Sequence, residues 1–164
     1  MAELRRRGLL ATAGLVVVAG ALSGCAGLRT EFDEKRNGGG IGFGDVASAV
    51  PAAVPRVTAV TDPGRSRNGF SYAVDFTLVT DSVDPFTAAQ LDDVVRAIWA
   101  TIPWEVNALS LVAVTDAADP AAAVGVDLRA AAAELTPLGV THAGQNGVTL
   151  TGLGVRYGDW TRPA

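Results

Sequence analysis

The patterning of the chain predicts an α+β fold, a two-layer sandwich with a mostly antiparallel sheet and helices on one face. Three observations carry that expectation. In residues 70–79, Phe70, Tyr72, Val74, Phe76 and Leu78 alternate with Ser71, Ala73, Asp75, Thr77 and Val79, the period of a half-buried strand. Over residues 87–102, Leu91, Val94, Val95, Ile98, Trp99 and Ile102 fall on one helical stripe, with Gln90, Asp92, Asp93 and Arg96 opposite. Residues 108–115 are apolar on both faces, which suits a central strand.

Before this domain stands a basic head, Arg5-Arg6-Arg7, and a run from Gly8 to Leu22 that carries no charge. The run is 15 residues long, short of the roughly 20 that a helix needs to span a bilayer core. It is also rich in glycine and alanine, as in a segment destined for cleavage. The arginines stay on the cytoplasmic side while the apolar run enters the membrane. Leu22-Ser23-Gly24-Cys25 follows, and Cys25 is the only cysteine. This stretch resembles the signal peptide and lipobox of bacterial lipoproteins, whose pattern of Leu, a small residue, Gly or Ala, then Cys is matched at all four positions.

The resemblance covers the first 25 residues and implies cleavage between Gly24 and Cys25. It also implies diacylglycerol on the Cys25 sulfur, with acyl chains such as palmitate holding the protein on the extracytoplasmic face of the cell membrane. Lipidation would remove the liability of an unpaired thiol in an exported chain. Each buried methylene adds about 0.8 kcal/mol, so two or more chains hold stably. Arg6-Arg7-Gly8-Leu9-Leu10 also resembles the twin-arginine export motif, with Arg5 where Ser or Thr is usual and Ala11 where Lys is common. General secretion is the equal alternative.

Three regions are therefore expected: a signal peptide over 1–24, a tether over 25–44 and one domain over 45–164. The tether has a charge cluster, Arg29 to Arg36, then Asn37-Gly38-Gly39-Gly40, with little to bury. No Lys-Ser or Lys-Thr follows the glycines, so they read as spacer rather than phosphate loop. Ile41 and Phe43 are candidates for a short first strand. Asp45 is placed to cap a helix through Val54, although Pro51 opposes it. A strand is expected over 56–61, closed by Asp62-Pro63-Gly64, and a hairpin loop over 64–69 leads to the strand at 70–79. Thr87 and Gln90 have capping-box spacing at the start of the long helix, and Pro103 ends it. A second helix is expected over 128–135, capped by Asp127, and a last strand over 147–153 with Val148, Leu150 and Gly152 inward. With the first strand, the opening six elements read βαββαβ, the ferredoxin-like order, plus a C-terminal helix and strand. Without it the order is ββαβαβ in a mixed sheet.

Removing Arg5, Arg6, Arg7 and Glu3 from the 13 basic and 17 acidic residues leaves 10 and 16, a net charge of −6. Such a domain is not built to coat nucleic acid or an anionic lipid surface. The anchor must supply the membrane affinity. His142, the only histidine, reads as solvent-facing in a Gly- and Thr-rich loop. One histidine and one lipidated cysteine cannot assemble a zinc or copper site, and no cofactor is expected. Asp116, Asp119 and Asp127 lack the calcium-loop pattern and read as turn and cap residues. Asp92 and Asp93, adjacent on a helix, point apart and read as solvated.

Trp104 lies just past the long helix, Tyr157 and Trp160 lie in the tail, and Arg65 and Arg67 lie at the hairpin tip. These five form the candidate interaction surface, with closure of the core the competing role for the aromatics. The functional expectation is a non-catalytic interaction or accessory module of the cell envelope, with an envelope protein as partner. A small-ligand carrier and a carboxylate-based enzyme are the alternatives.

Overall fold

The structure, a computed structural model, describes residues 42–117, 120–144 and 146–164. The basic head, the lipobox with Cys25, Ile41, the glycine run at 38–40 and Asp119 lie outside the described residues. The domain is α+β with a mixed, open, six-stranded sheet. Its elements are α1 (Val46–Ala53), β1 (Val57–Asn68), β2 (Ser71–Thr80), α2 (Ala88–Thr101), β3 (Ala108–Thr115), β4 (Gly125–Val126), α3 (Arg129–Ala133), β5 (Gly139–Ala143), β6 (Gly147–Thr151) and α4 (Leu153–Tyr157). A single 3-10 turn, Pro120–Ala122, precedes β4.

The strand order is β1-β2-β3-β6-β5, with the short β4 also on β3. Only β2 and β3 run parallel, and α2 is the crossover that a parallel connection requires. Gly42 and Phe43 carry no strand pairing, so the ferredoxin-like order is not reproduced among the described residues.

One face of the sheet is buried. Val74, Phe76 and Leu78 of β2, Leu109, Leu111 and Ala113 of β3, and Val148 and Leu150 of β6 all lie in one core with Leu91, Val94, Val95 and Ile98 of α2. Val46 and Val50 of α1 and Ala131 and Ala132 of α3 complete it. On the other face, Ala73, Thr77, Val79, Ser110, Val112, Val114 and Thr149 are only half-buried. The predicted stripe of α2 is buried in full, including Trp99 and Ile102.

Its start is held by reciprocal caps. The Gln90 backbone N–H donates to Thr87 Oγ1 at 3.2 Å, and the Thr87 N–H donates to Gln90 Oε1 at 3.1 Å. Arg56 braces the same start: its guanidinium donates to the Asp84 carbonyl at 2.6 Å and lies 4.5 Å from the Phe86 ring centroid. Thr87→Ala should cost about 1 kcal/mol, because it leaves a helix donor without its cap. The check is a lower urea midpoint at unchanged slope.

Several expected boundaries moved. The first strand does not stop at Asp62-Pro63-Gly64 but continues to Asn68 through a register shift between Thr61 and Gly64. Asp62 takes a positive φ of 49° there. β1 is an edge strand, so the missing N–H of Pro63 is tolerated. The six-residue loop shrinks to Gly69-Phe70, since Asn68 pairs with Ser71. Gly69 has φ 62°, the glycine-first arrangement of a type II′ turn. Phe70, expected inward, is therefore at the tip and 96% exposed.

Pro51 sits inside α1, where the carbonyl that it cannot bond belongs to the exposed Ala47. Asp45 makes no side-chain cap to α1. The second predicted helix is shorter, Arg129–Ala133, although Asp127 does receive the Arg129 N–H at 2.8 Å. His142 lies in β5, not in a loop, and is exposed on an edge strand. The last strand ends at Thr151 because Gly152, at φ 76°, turns the chain into α4. Gly152 thus starts a helix instead of facing the core from a strand.

Candidate functional site

The tip of the β1–β2 hairpin gathers three of the five predicted surface residues. Cross-strand register sets Arg67 opposite Tyr72 and Arg65 opposite Val74, so both arginines emerge on the face of the sheet that carries the core. The Arg65 guanidinium carbon lies 4.2 Å from the Tyr72 ring centroid and 4.4 Å from that of Trp104. Arg67 lies 5.5 Å from the Tyr72 ring, and its Nε donates to the Gly69 carbonyl at 2.7 Å. Each contact places a cation over the electron-rich face of a ring.

Trp104 is carried by the segment between α2 and β3. Its ring meets Phe43 edge-on at 5.4 Å, and Phe43 meets Phe76 at 5.6 Å. Trp104 Nε1 is shielded from solvent without a hydrogen-bond partner among the described residues. Asn107 ties the cluster to the sheet, as its Oδ1 accepts the Tyr72 N–H at 3.1 Å. The described chain thus enters the domain at Phe43, next to the cluster. Neither arginine forms an ion pair with a carboxylate among the described residues.

Tyr157 and Trp160 are elsewhere. The Tyr157 hydroxyl donates to Asp92 Oδ1 at 2.8 Å, and Trp160 Nε1 donates to the Ile102 carbonyl at 3.2 Å. Both fasten the tail along α2, which is core closure. Asp92 is the centre of that fastening and is not a solvated residue: it accepts from Arg156 Nε at 2.8 Å and Arg96 Nη2 at 2.6 Å, and its side chain is 14% exposed. Arg156 also donates to the Thr136 carbonyl. Burial alone would raise the Asp92 carboxyl. The hydrogen bonds from Arg156, Tyr157 and Arg96, with the Arg156 charge, outweigh it and hold the pKa down to about 2. Burial, then the bond to Asp92, raises that of Tyr157.

The open face of the sheet carries a shallow groove of about 440 Å³ near the C-terminal ends of β2 and β3, lined by Thr61, Thr77, Val79, Val112, Val114 and Asp116 among others. Ser110 and Thr149 share a 2.8 Å hydrogen bond on the same face. Asp75, toward its other end, has its carboxyl packed over Gly64, where a Cβ would stand 1.8 Å from Oδ2. That desolvation raises its pKa. Among the described residues no three His, Cys, Asp or Glu side chains are grouped to hold a metal ion. No described helix is long and apolar enough to cross a membrane.

Tyr72, Phe43 and Asp92 escaped the sequence reading. Tyr72 was recoverable, because a two-residue turn at Gly69-Phe70 brings Arg67 opposite it. Asp92 was not, since its partner Arg156 is 64 residues away in sequence. No family model matches the chain, and neither a curated protein nor a solved structure matches it.

Proposed function

We propose that this protein is a lipid-anchored lipoprotein on the extracytoplasmic face of a bacterial cell membrane, and that its domain is a non-catalytic interaction module of the envelope. The observation that carries the reading is the placement of the sole cysteine at the fourth position of Leu22-Ser23-Gly24-Cys25, behind a basic head and a 15-residue uncharged run. The cationic–aromatic cluster at the hairpin tip supports the interaction role, because aromatic and arginine side chains dominate binding hot spots. A tether that confines such a surface near a membrane raises its effective concentration against neighbours, an envelope protein among them. On the fold, the single buried face of the sheet supports a two-layer sandwich.

The groove on the open face favours a second reading, a carrier for a small ligand that is itself partly apolar. Its shallowness makes this the weaker of the two.

The test is Cys25→Ala. The substituted protein is expected to leave the membrane fraction and the detergent phase and to lose its acyl mass. Retention of both, with lipid still attached, would overturn the anchor.

A further inference from the structure

The hairpin tip joins an exposed apolar side chain to two arginines at the end of the domain where the described chain enters. We propose that this tip, Phe70 with Arg65 and Arg67, docks on the anionic surface of the bilayer that holds the anchor and so fixes the orientation of the domain. The inference rests on the anchor reading.

Four observations lead to it. Phe70 is 96% exposed, held at the apex of a tight turn instead of packing on the core. The bond from Arg67 Nε to the Gly69 carbonyl sets that guanidinium beside the same turn. Arg65 is the next cation along β1, stacked between Tyr72 and Trp104. Trp104 in turn touches Phe43, so chain entry and tip lie at one end of the molecule. From Cys25 to Phe43 is 18 residues, a connection that spans no more than roughly 65 Å in any conformation.

Apolar tip, aromatic belt and arginines together match the chemistry of a membrane interface, where aromatic rings sit at headgroup level and cations meet lipid phosphates. The charge of the remainder strengthens the choice. The mature chain carries −6 overall, so an anionic bilayer repels the domain as a whole and is met by the two tip arginines, which form no ion pair among the described residues. Glu105 adjoins Trp104, Asp45 lies two residues from Phe43 and Asp75 packs over Gly64, so carboxylates flank this end while neither arginine is ion-paired among the described residues. Two arginines and one phenylalanine would not hold a free domain on lipid, but an anchored one needs only to be oriented.

The experiment uses the full lipidated protein on phosphatidylglycerol–phosphatidylcholine vesicles. A nitroxide is placed by Ser71→Cys beside the intact Phe70, and a control label by Val83→Cys in the loop beyond the far end of β2, where Val83 is 62% exposed. The label at 71 is expected to gain collisions with oxygen and lose them with an aqueous nickel reagent several-fold, while the label at 83 stays aqueous. Adding Phe70→Ser or Arg67→Gln should return it to water. Flotation with an aqueous label at 71 would overturn the contact alone. Loss of flotation altogether would overturn the anchor and the contact with it. Equal immersion on phosphatidylcholine alone would overturn the anionic partner, and immobilisation without vesicles would point to a protein at the tip and overturn the bilayer.

Discussion

Leu111→Ala is expected to destabilise the domain by about 3 kcal/mol, the usual cost of an unrelaxed cavity at a fully buried leucine. Leu111 is 0% exposed and stands at the middle of the sheet. It is in register with Phe76 of β2 on one side and Val148 of β6 on the other. Its surroundings are held by ladder hydrogen bonds on both edges of β3, so the void cannot close by moving one helix. The melting temperature should fall by roughly 10 °C, read by circular dichroism alongside a urea titration. Val112→Ala, one residue on but facing the groove, should cost less than half as much because its side chain is only half-buried. Equal losses at the two positions would mean that something covers the open face.

Asp92→Ala should cost about 2 kcal/mol, since it removes charge-assisted bonds that hold the C-terminal helix and tail on α2. The effect depends on pH. The folded-state pKa of Asp92 is held below the ordinary carboxylate value of 3.8, at about 2. Its contribution is therefore complete above roughly pH 4 and disappears as the pH falls toward 2. Tyr157 is shifted the other way, above its ordinary 10.0, so its share is present below pH 10 and is lost in stronger alkali. Between pH 4 and 2 the native protein should lose stability more steeply than the variant, and the two acid limbs should converge. Parallel limbs would show that Asp92 is not the group being titrated. Amide exchange should be faster in α4 of the variant at neutral pH, where the strap is cut, with the centre of β3 still protected.

The most periodic elements were readable in advance. α2 appears with its capping box, its full apolar stripe and its buried Trp99, because helix period, cap chemistry and the following Pro103 all act within one or two turns. β2 and β3 were equally plain, the first from strict alternation and the second from its apolar character on both faces. Where chemistry is local, neighbouring residues alone decide the outcome. The same locality carries the lipobox, which depends on four consecutive residues and asks nothing of the fold.

Pairing partners were not readable in this way. Pro63 stops a strand in isolation but not on an edge, where its missing N–H has no ladder to break. Phe70 belongs to the core face by alternation, yet the hairpin turn closes at Gly69-Phe70 and leaves it in water. β5 was overlooked because Gly139 to Ala143 is too polar and short to announce a strand, and it exists through its pairing with β6. For Tyr157 and Trp160 the sequence leaves an interaction surface and core closure both open; Asp92 and the Ile102 carbonyl, more than 50 residues distant, supply the partners that place them in core closure. By itself the sequence determined the helix and strand periods, the acidic balance, the lack of any disulfide and the lipobox pattern. The tertiary structure alone decided which arginines meet which rings, which aspartate is buried and which phenylalanine is left exposed, because those depend on contacts between residues that the chain keeps far apart.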